Sequence, residues 1–179
     1  MVDEPDLEWI AQCLGGDTSA FEPLVARHQK VVFNVALRMV GDYEDARDVT
    51  QATFVKAWEK LASFDASHRF FSWLYRIMIN ESLDLIERRR RLVALDHELP
   101  SPARQDRDFE AGERAERVRA ALARLPHDSR EVLVLRHFGE LSYQEMAEAL
   151  AIPEKTVKSR LFTARQRMGD LLVAEGGEP

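Results

Sequence analysis

The chain has 179 residues, 45% of them apolar, one cysteine and a formal charge of −6. The apolar share supports a buried core, no stretch of 18 apolar residues reads as a membrane span, and Cys13 alone excludes an internal disulfide or a cysteine-based zinc site. No charged-then-apolar leader precedes a small-residue cleavage site, so a cytoplasmic protein without membrane insertion is expected.

Gly and Pro punctuate a pattern that is otherwise helical, without a convincing strand or repeat, and predict an all-α protein. A first helix over about 6–14, with Cys13 as a small apolar residue, ends at Gly15-Gly16. Residues 1–22 hold six acids and neither Lys nor Arg. Ser19 with Glu22 forms a capping-box pattern opening a long helix to about Val40, with Phe21, Leu24, Val25, Val32, Val35, Ala36 and Met39 apolar and Pro23 in its first turn. Gly41-Asp42 stops that helix and caps the next, over about 43–62. Its inward stripe is Ala46, Val49, Thr53, Ala57 and Leu61, and the other side shows Asp45, Asp48, Gln51, Lys56 and Glu59 around Val55. That face suits either protein binding or plain solvation.

After a loop at Ser63–Arg69, a third helix runs from about Phe71 into Arg88–Arg91. Its one polar strip is Trp73, Arg76, Asn80 and Asp84. An aromatic beside Arg and Asn, ahead of four arginines, suits single-stranded nucleic acid, although Trp73 could equally be core. Residues 69–91 carry six arginines against three acids, whereas 92–116 carry seven acids against three arginines. Residues 92–112, with Pro100, Pro102 and Gly112, read as a flexible linker. Helices at about 113–124 and 128–138 follow, the second after Leu125-Pro126.

The stretch from Leu141 to Leu161 carries the strongest signal. Ser142 and Glu145 make a capping box, Ala147 is small where helices must approach, and Ala151-Ile152-Pro153 breaks one helix before the next. The second helix holds Lys155, Lys158, Arg160, Arg165 and Arg167 against Glu154 alone. At about 100° per residue, Val157, Leu161, Ala164 and Met168 face inward, and Lys155, Ser159, Phe162 and Gln166 face outward, flanked by Lys158 and Thr163. This is the pattern of a helix-turn-helix that places its second helix in a major groove. Phe162 either meets a thymine methyl or packs under a neighbouring helix. Two positive segments between acidic ones give two footprints for phosphate and disfavour non-specific binding by the free chain.

Taken in order, Gly16-Asp17-Thr18-Ser19-Ala20-Phe21, Asp45 through Trp58, Phe71-Ser72-Trp73-Leu74-Tyr75-Arg76-Ile77 with Asn80, and Val157-Lys158-Ser159-Arg160-Leu161-Phe162 resemble the extracytoplasmic-function sigma factors, from about Asp17 to Leu172. The resemblance implies two small helical domains, 1–91 and 113–179, joined by the linker 92–112, and a protein that directs core RNA polymerase to promoters as a monomer. It implies −35 contacts from Lys155, Thr156, Lys158, Ser159, Arg160, Phe162, Thr163, Arg165 and Gln166. The −10 element, double-stranded and then melted, would be read by Asp65, Ser67, His68, Arg69, Trp73, Arg76, Asn80, Arg88, Arg89 and Arg90, with the Ser63–Arg69 loop holding a flipped-out base. Asp45, Asp48, Gln51, Ala52, Val55 and Glu59 would dock on the polymerase β′ coiled-coil, the second domain would meet the β flap, and the linker would thread toward the RNA exit path.

Two positions depart from the family pattern: Thr163, where many relatives have arginine, and Ala151, where glycine is common at the turn. If Ala151 is left-handed, it costs about 1–2 kcal/mol. A helix-turn-helix repressor acting alone would leave the polar faces of the first domain unused, and a sigma mimic that only titrates an anti-sigma factor would not need the basic helix. No phosphate loop, nucleophile motif or histidine ligand spacing points to an enzyme, and no cofactor is expected. Without an evident internal switch, control is expected from an anti-sigma factor, with the two domains moving independently in the free chain.

Overall fold

The computed structural model describes residues 4–95 and 113–174, and the expected linker falls mostly outside the described residues. Every regular element described is helical. The first half contains α1 (Glu4–Leu14), α2 (Phe21–Val40), α3 (Tyr43–Lys60) and α4 (Phe70–Leu95), with single 3-10 turns at Thr18–Ala20 and Leu61–Ser63. The second contains α5 (Glu113–Arg124), α6 (His127–His137), α7 (Tyr143–Leu150) and α8 (Glu154–Ala174).

Helix α2 buries Leu24, His28, Val32, Val35, Ala36 and Met39, one stripe at helical spacing. It ends because Gly41 takes a left-handed conformation (φ 81°), which an L side chain disfavours. Asp42 then caps α3 by accepting from the Asp45 N–H at 3.0 Å. The expected inward stripe of α3 is buried from Ala46 to Leu61. The start of α2 differs from expectation. Asp17 instead caps the 3-10 turn Thr18–Ala20, accepting from the Ser19 N–H at 3.0 Å and from its hydroxyl at 2.6 Å, and no side chain caps α2 at Ala20. A carboxylate two residues earlier outcompetes Glu22 for Ser19.

Helix α4 is longer than expected and reaches Leu95, four residues into the expected linker. Phe70, Leu74, Tyr75, Met78 and Ser82 bury its first part, and Arg88–Arg91 leave its end exposed. In the second half α6 is buried nearly all round, with Val132, Leu133, Val134 and Leu135 enclosed. The turn out of α6 needs Gly139, because a Cβ there would lie 2.8 Å from the Leu135 carbonyl oxygen and 2.9 Å from Leu141 Cδ1. Ser142 and Glu145 form the expected reciprocal capping box on α7, and Ala151 at its end is left-handed (φ 53°, ψ 42°).

The two halves also touch each other, which the sequence did not anticipate. Helix α7 lies against α4, and α5 and α6 lie against α2. The Arg130 guanidinium of α6 donates to the Met39 carbonyl of α2 at 2.7 Å, and Arg38 stacks 3.8 Å from the Phe138 ring centre. Sequence periodicity shows only that a face is apolar, and cannot show that two halves share a boundary.

Candidate nucleic-acid and polymerase interfaces

Three surfaces gather the residues singled out from the sequence. The first is the outer side of α8, where Lys155, Lys158, Ser159, Phe162, Thr163, Arg165 and Gln166 are all exposed. Apart from Arg165, these recur at intervals of three and four and make one stripe along about three turns. Phe162 is 64% exposed, so it does not pack under a neighbouring helix. Thr156 is half-buried beside the turn. Lys158 meets Glu154 one turn back at 2.6 Å, an exposed pair that phosphate can displace.

Arg160 departs from its expected role. It turns inward and donates to Glu131 of α6 at 3.0 Å. Burial of Glu131 pushes its carboxyl up to about 7, even though Arg160 pulls the other way. Arg167 likewise reaches inward to the Ser129 hydroxyl at 3.2 Å. The helix is thus tied to α6 on one side and open to solvent on the other.

The second surface is the Ser63–Arg69 loop with the outer strip of α4. Asp65 accepts from the Ser67 N–H at 2.9 Å, and the hydrogen bonds from Ser67 hold its carboxyl below the usual range. Ser67 and His68 are exposed, as are Arg76, Asn80, Asp84, Arg88 and Arg90. Trp73 is half-buried against Phe64 and Phe70, with ring centres 5.4 and 5.7 Å away. It therefore has both an anchored side and an open one. Two of the expected loop residues are held by the second half: Arg69 pairs with Glu145, and His68 Nδ1 lies 3.6 Å from Glu148. Arg89 pairs with Asp45 at 2.6 Å, which ties α4 to α3.

The third surface is on α3. Asp48, Gln51, Val55 and Glu59 are exposed and Ala52 half-buried, with Val55 at 51%. Asp45 is a correction: it is only 8% exposed and its carboxyl is raised by burial, so it is an internal partner of Arg89 and not part of the open face. Lys56 also turns inward, to Glu81. Beside this face the structure opens a groove of about 690 Å³ between α2 and α3, lined by Phe21, Phe33, Tyr43, Phe54, Val55 and Trp58. Edge-to-face ring pairs, Phe21–Trp58 at 5.1 Å and Phe33–Tyr43 at 5.2 Å, build its walls. Phe21 and Val25, from the apolar set of α2, are half-buried against the core and also line this groove. The groove was missed because its two walls are apolar positions on separate helices, and only their pairing makes a cleft. Among the described residues, no cluster of His, Cys, Asp or Glu could hold a metal ion, and no helix is long and apolar enough to cross a membrane.

Two family models match the chain. Sigma-70 region 2 matches residues 24–92, and Sigma-70, region 4 matches residues 115–168. The chain is 34% identical to the RNA polymerase sigma-H factor of Pseudomonas aeruginosa, covering 96% of each chain. It is 30% identical to the ECF RNA polymerase sigma factor SigW of Bacillus subtilis, covering 89% of this chain and 92% of that one. Among solved structures it resembles CnrH in complex with the cytosolic domain of CnrY, with TM-score 0.76, 34% identity and coverage of 96% and 99%. It also resembles the sigma factor RpoE of Bartonella quintana in complex with the anti-sigma factor NepR, with TM-score 0.71, 25% identity and coverage of 85% and 96%.

Proposed function

Because the chain belongs to the extracytoplasmic-function sigma factors of RNA polymerase, we propose that its three surfaces divide the work of promoter recognition among them. The α8 stripe, with Arg165 beside it, reads the −35 element, with Lys155, Lys158 and Arg165 on phosphates and Ser159, Phe162 and Gln166 toward base edges. The Ser63–Arg69 loop and the Trp73, Arg76 and Asn80 strip read the −10 element and hold it melted, with Arg88 and Arg90 on phosphates. Asp48, Gln51, Val55 and the adjoining aromatic groove dock on the β′ coiled-coil of the polymerase, and the second half meets the β flap. Residues 1–91 and 113–179 act as the two recognition units of a monomer in the cytoplasm, and the bond chemistry belongs to the polymerase. An anti-sigma factor is the expected regulator, supported by the structural relative RpoE, which is bound to the anti-sigma factor NepR.

The observation that carries this reading is the two-sidedness of α8. Arg160 and Arg167 bind the helix to α6, and the remaining cations share the open side with Phe162. Footprinting of polymerase holoenzyme on a promoter tests it. Lys158→Ala and Phe162→Ala should remove protection upstream, and Arg76→Ala should abolish strand opening downstream. Unchanged protection with all three variants would refute the division of labour.

A further inference from the structure

Building on the sigma-factor reading, we propose that α1 is a positioning element for the −10 reader: its Asp6, paired with the buried His28, orients the rings that close the base of the loop. Helix α1 precedes residues 24–92, the part matched to Sigma-70 region 2. Asp6 is 1% exposed and His28 of α2 is 4% exposed. His28 Nε2 donates to Asp6 Oδ2 at 2.9 Å, and Arg27 Nε lies 3.6 Å from the other carboxylate oxygen. Burying a carboxylate and an imidazole costs desolvation that two apolar side chains would avoid. What the pair supplies is direction. The bond fixes which way the imidazole faces, and a buried polar pair specifies one packing.

The same ring leads to the loop. His28 packs against Phe70 and Phe71, the first two residues of α4, with ring centres 5.6 and 5.3 Å away. Phe70 is buried and meets Phe64 edge to face at 5.7 Å. Phe64 and Phe70 flank Asp65–Arg69, so this ring pair clasps the two ends of the loop. Both rings also meet Trp73, at 5.4 and 5.7 Å, on the strip assigned to melted DNA. Helix α1 reaches the entry to the loop a second way, by packing on the Leu61–Ser63 turn. Asp65, Ser67 and His68 stay exposed. The residues that would hold a base thus stand on a buried aromatic frame whose orientation is set from α1. Selection of one flipped base depends on walls held in place before the base arrives. Loosening the frame should therefore cost base discrimination more than folding or polymerase binding.

Three variants separate positioning from stability. Asp6→Ala removes the acceptor for His28, and Asp6→Asn keeps one. Asp6→Leu combined with His28→Phe removes both polar partners, a replacement close to neutral for folding, and leaves a ring against Phe70 and Phe71 with no bond to orient it. Each full-length chain is assembled with core polymerase on a promoter found by run-off transcription, with all four bases placed in turn at each −10 position. Permanganate reactivity of the −10 thymines reports opening, and competition against another sigma factor reports core binding. Asp6→Ala and the double variant should lose discrimination several-fold at one −10 position, with core affinity and upstream protection unchanged. Asp6→Asn should retain it. The double variant should melt no lower than wild type, which keeps the test valid if Asp6→Ala folds poorly. Wild-type discrimination in the double variant would overturn the inference. So would a loss spread evenly over core binding, upstream protection and opening that follows the melting temperature. A wild-type chain that opens no promoter with core would instead strike the sigma-factor reading, and the inference with it.

Discussion

Arg160 on α8 and Glu131 on α6 are joined at 3.0 Å, on the side of α8 opposite its exposed stripe. The pair converts one expected DNA contact into the anchor of the others. Arg160→Ala should therefore lower the melting temperature and weaken binding to every promoter alike. Phe162→Ala should leave the melting temperature unchanged and cost about 1–3 kcal/mol at one base position. Lys158→Ala should weaken binding uniformly and reduce the salt slope by about one unit. Thermal melts with binding titrations over single-base promoter variants separate the three.

The same pair sets a pH dependence. Glu131 has a folded pKa of about 7, above the 4.5 of an unperturbed carboxyl, because burial disfavours its charged form. A raised carboxyl pKa means that the folded state binds the extra proton, so this group's stabilising contribution is complete below about 4.5 and is lost as pH rises through about 7. Relative to Glu131→Gln, wild type should gain stability as pH falls across that window, by about 3 kcal/mol at most. Denaturant melts of both proteins at several pH values check this. The comparison cancels the opposite contribution of His127 and His137, whose pKa values burial lowers.

Asp45 and Asp48 are three residues apart on α3 and should respond oppositely to the same change. Asp48→Arg alters an exposed residue on the proposed docking face. It should weaken core binding while changing stability by no more than about 0.5 kcal/mol. Asp45→Arg places a buried cation against Arg89 and should destabilise by about 3–5 kcal/mol. Competition for core against another sigma factor, paired with melts, reads both.

Ala151 holds a left-handed conformation at the turn between α7 and α8. Ala151→Gly should stabilise the chain by about 1 kcal/mol without altering promoter preference. A lower melting temperature would mean that the methyl group makes a packing contact worth more than the strain.

The helices and the exposed outer face of α8 were legible in the sequence because each rests on local chemistry: the Ser142–Glu145 box, the Gly41-Asp42 stop and cap, and the spacing of Lys155, Ser159 and Phe162. What was not legible depends on pairs distant in the chain. Asp45 and Arg89, Glu131 and Arg160, and Arg69 and Glu145 each look like surface charges until packing brings them together. The aromatic groove was hidden for the same reason, since Phe33 and Tyr43 meet only when α2 and α3 fold back on each other.

Run-off transcription with core polymerase and a genomic promoter library is the most direct test of the account. Discrete transcripts should require both this chain and core, should disappear with Asp48→Arg and should weaken at every promoter with Lys158→Ala. A chain that binds promoter DNA alone at nanomolar affinity in physiological salt, and adds no transcript to core, would contradict it.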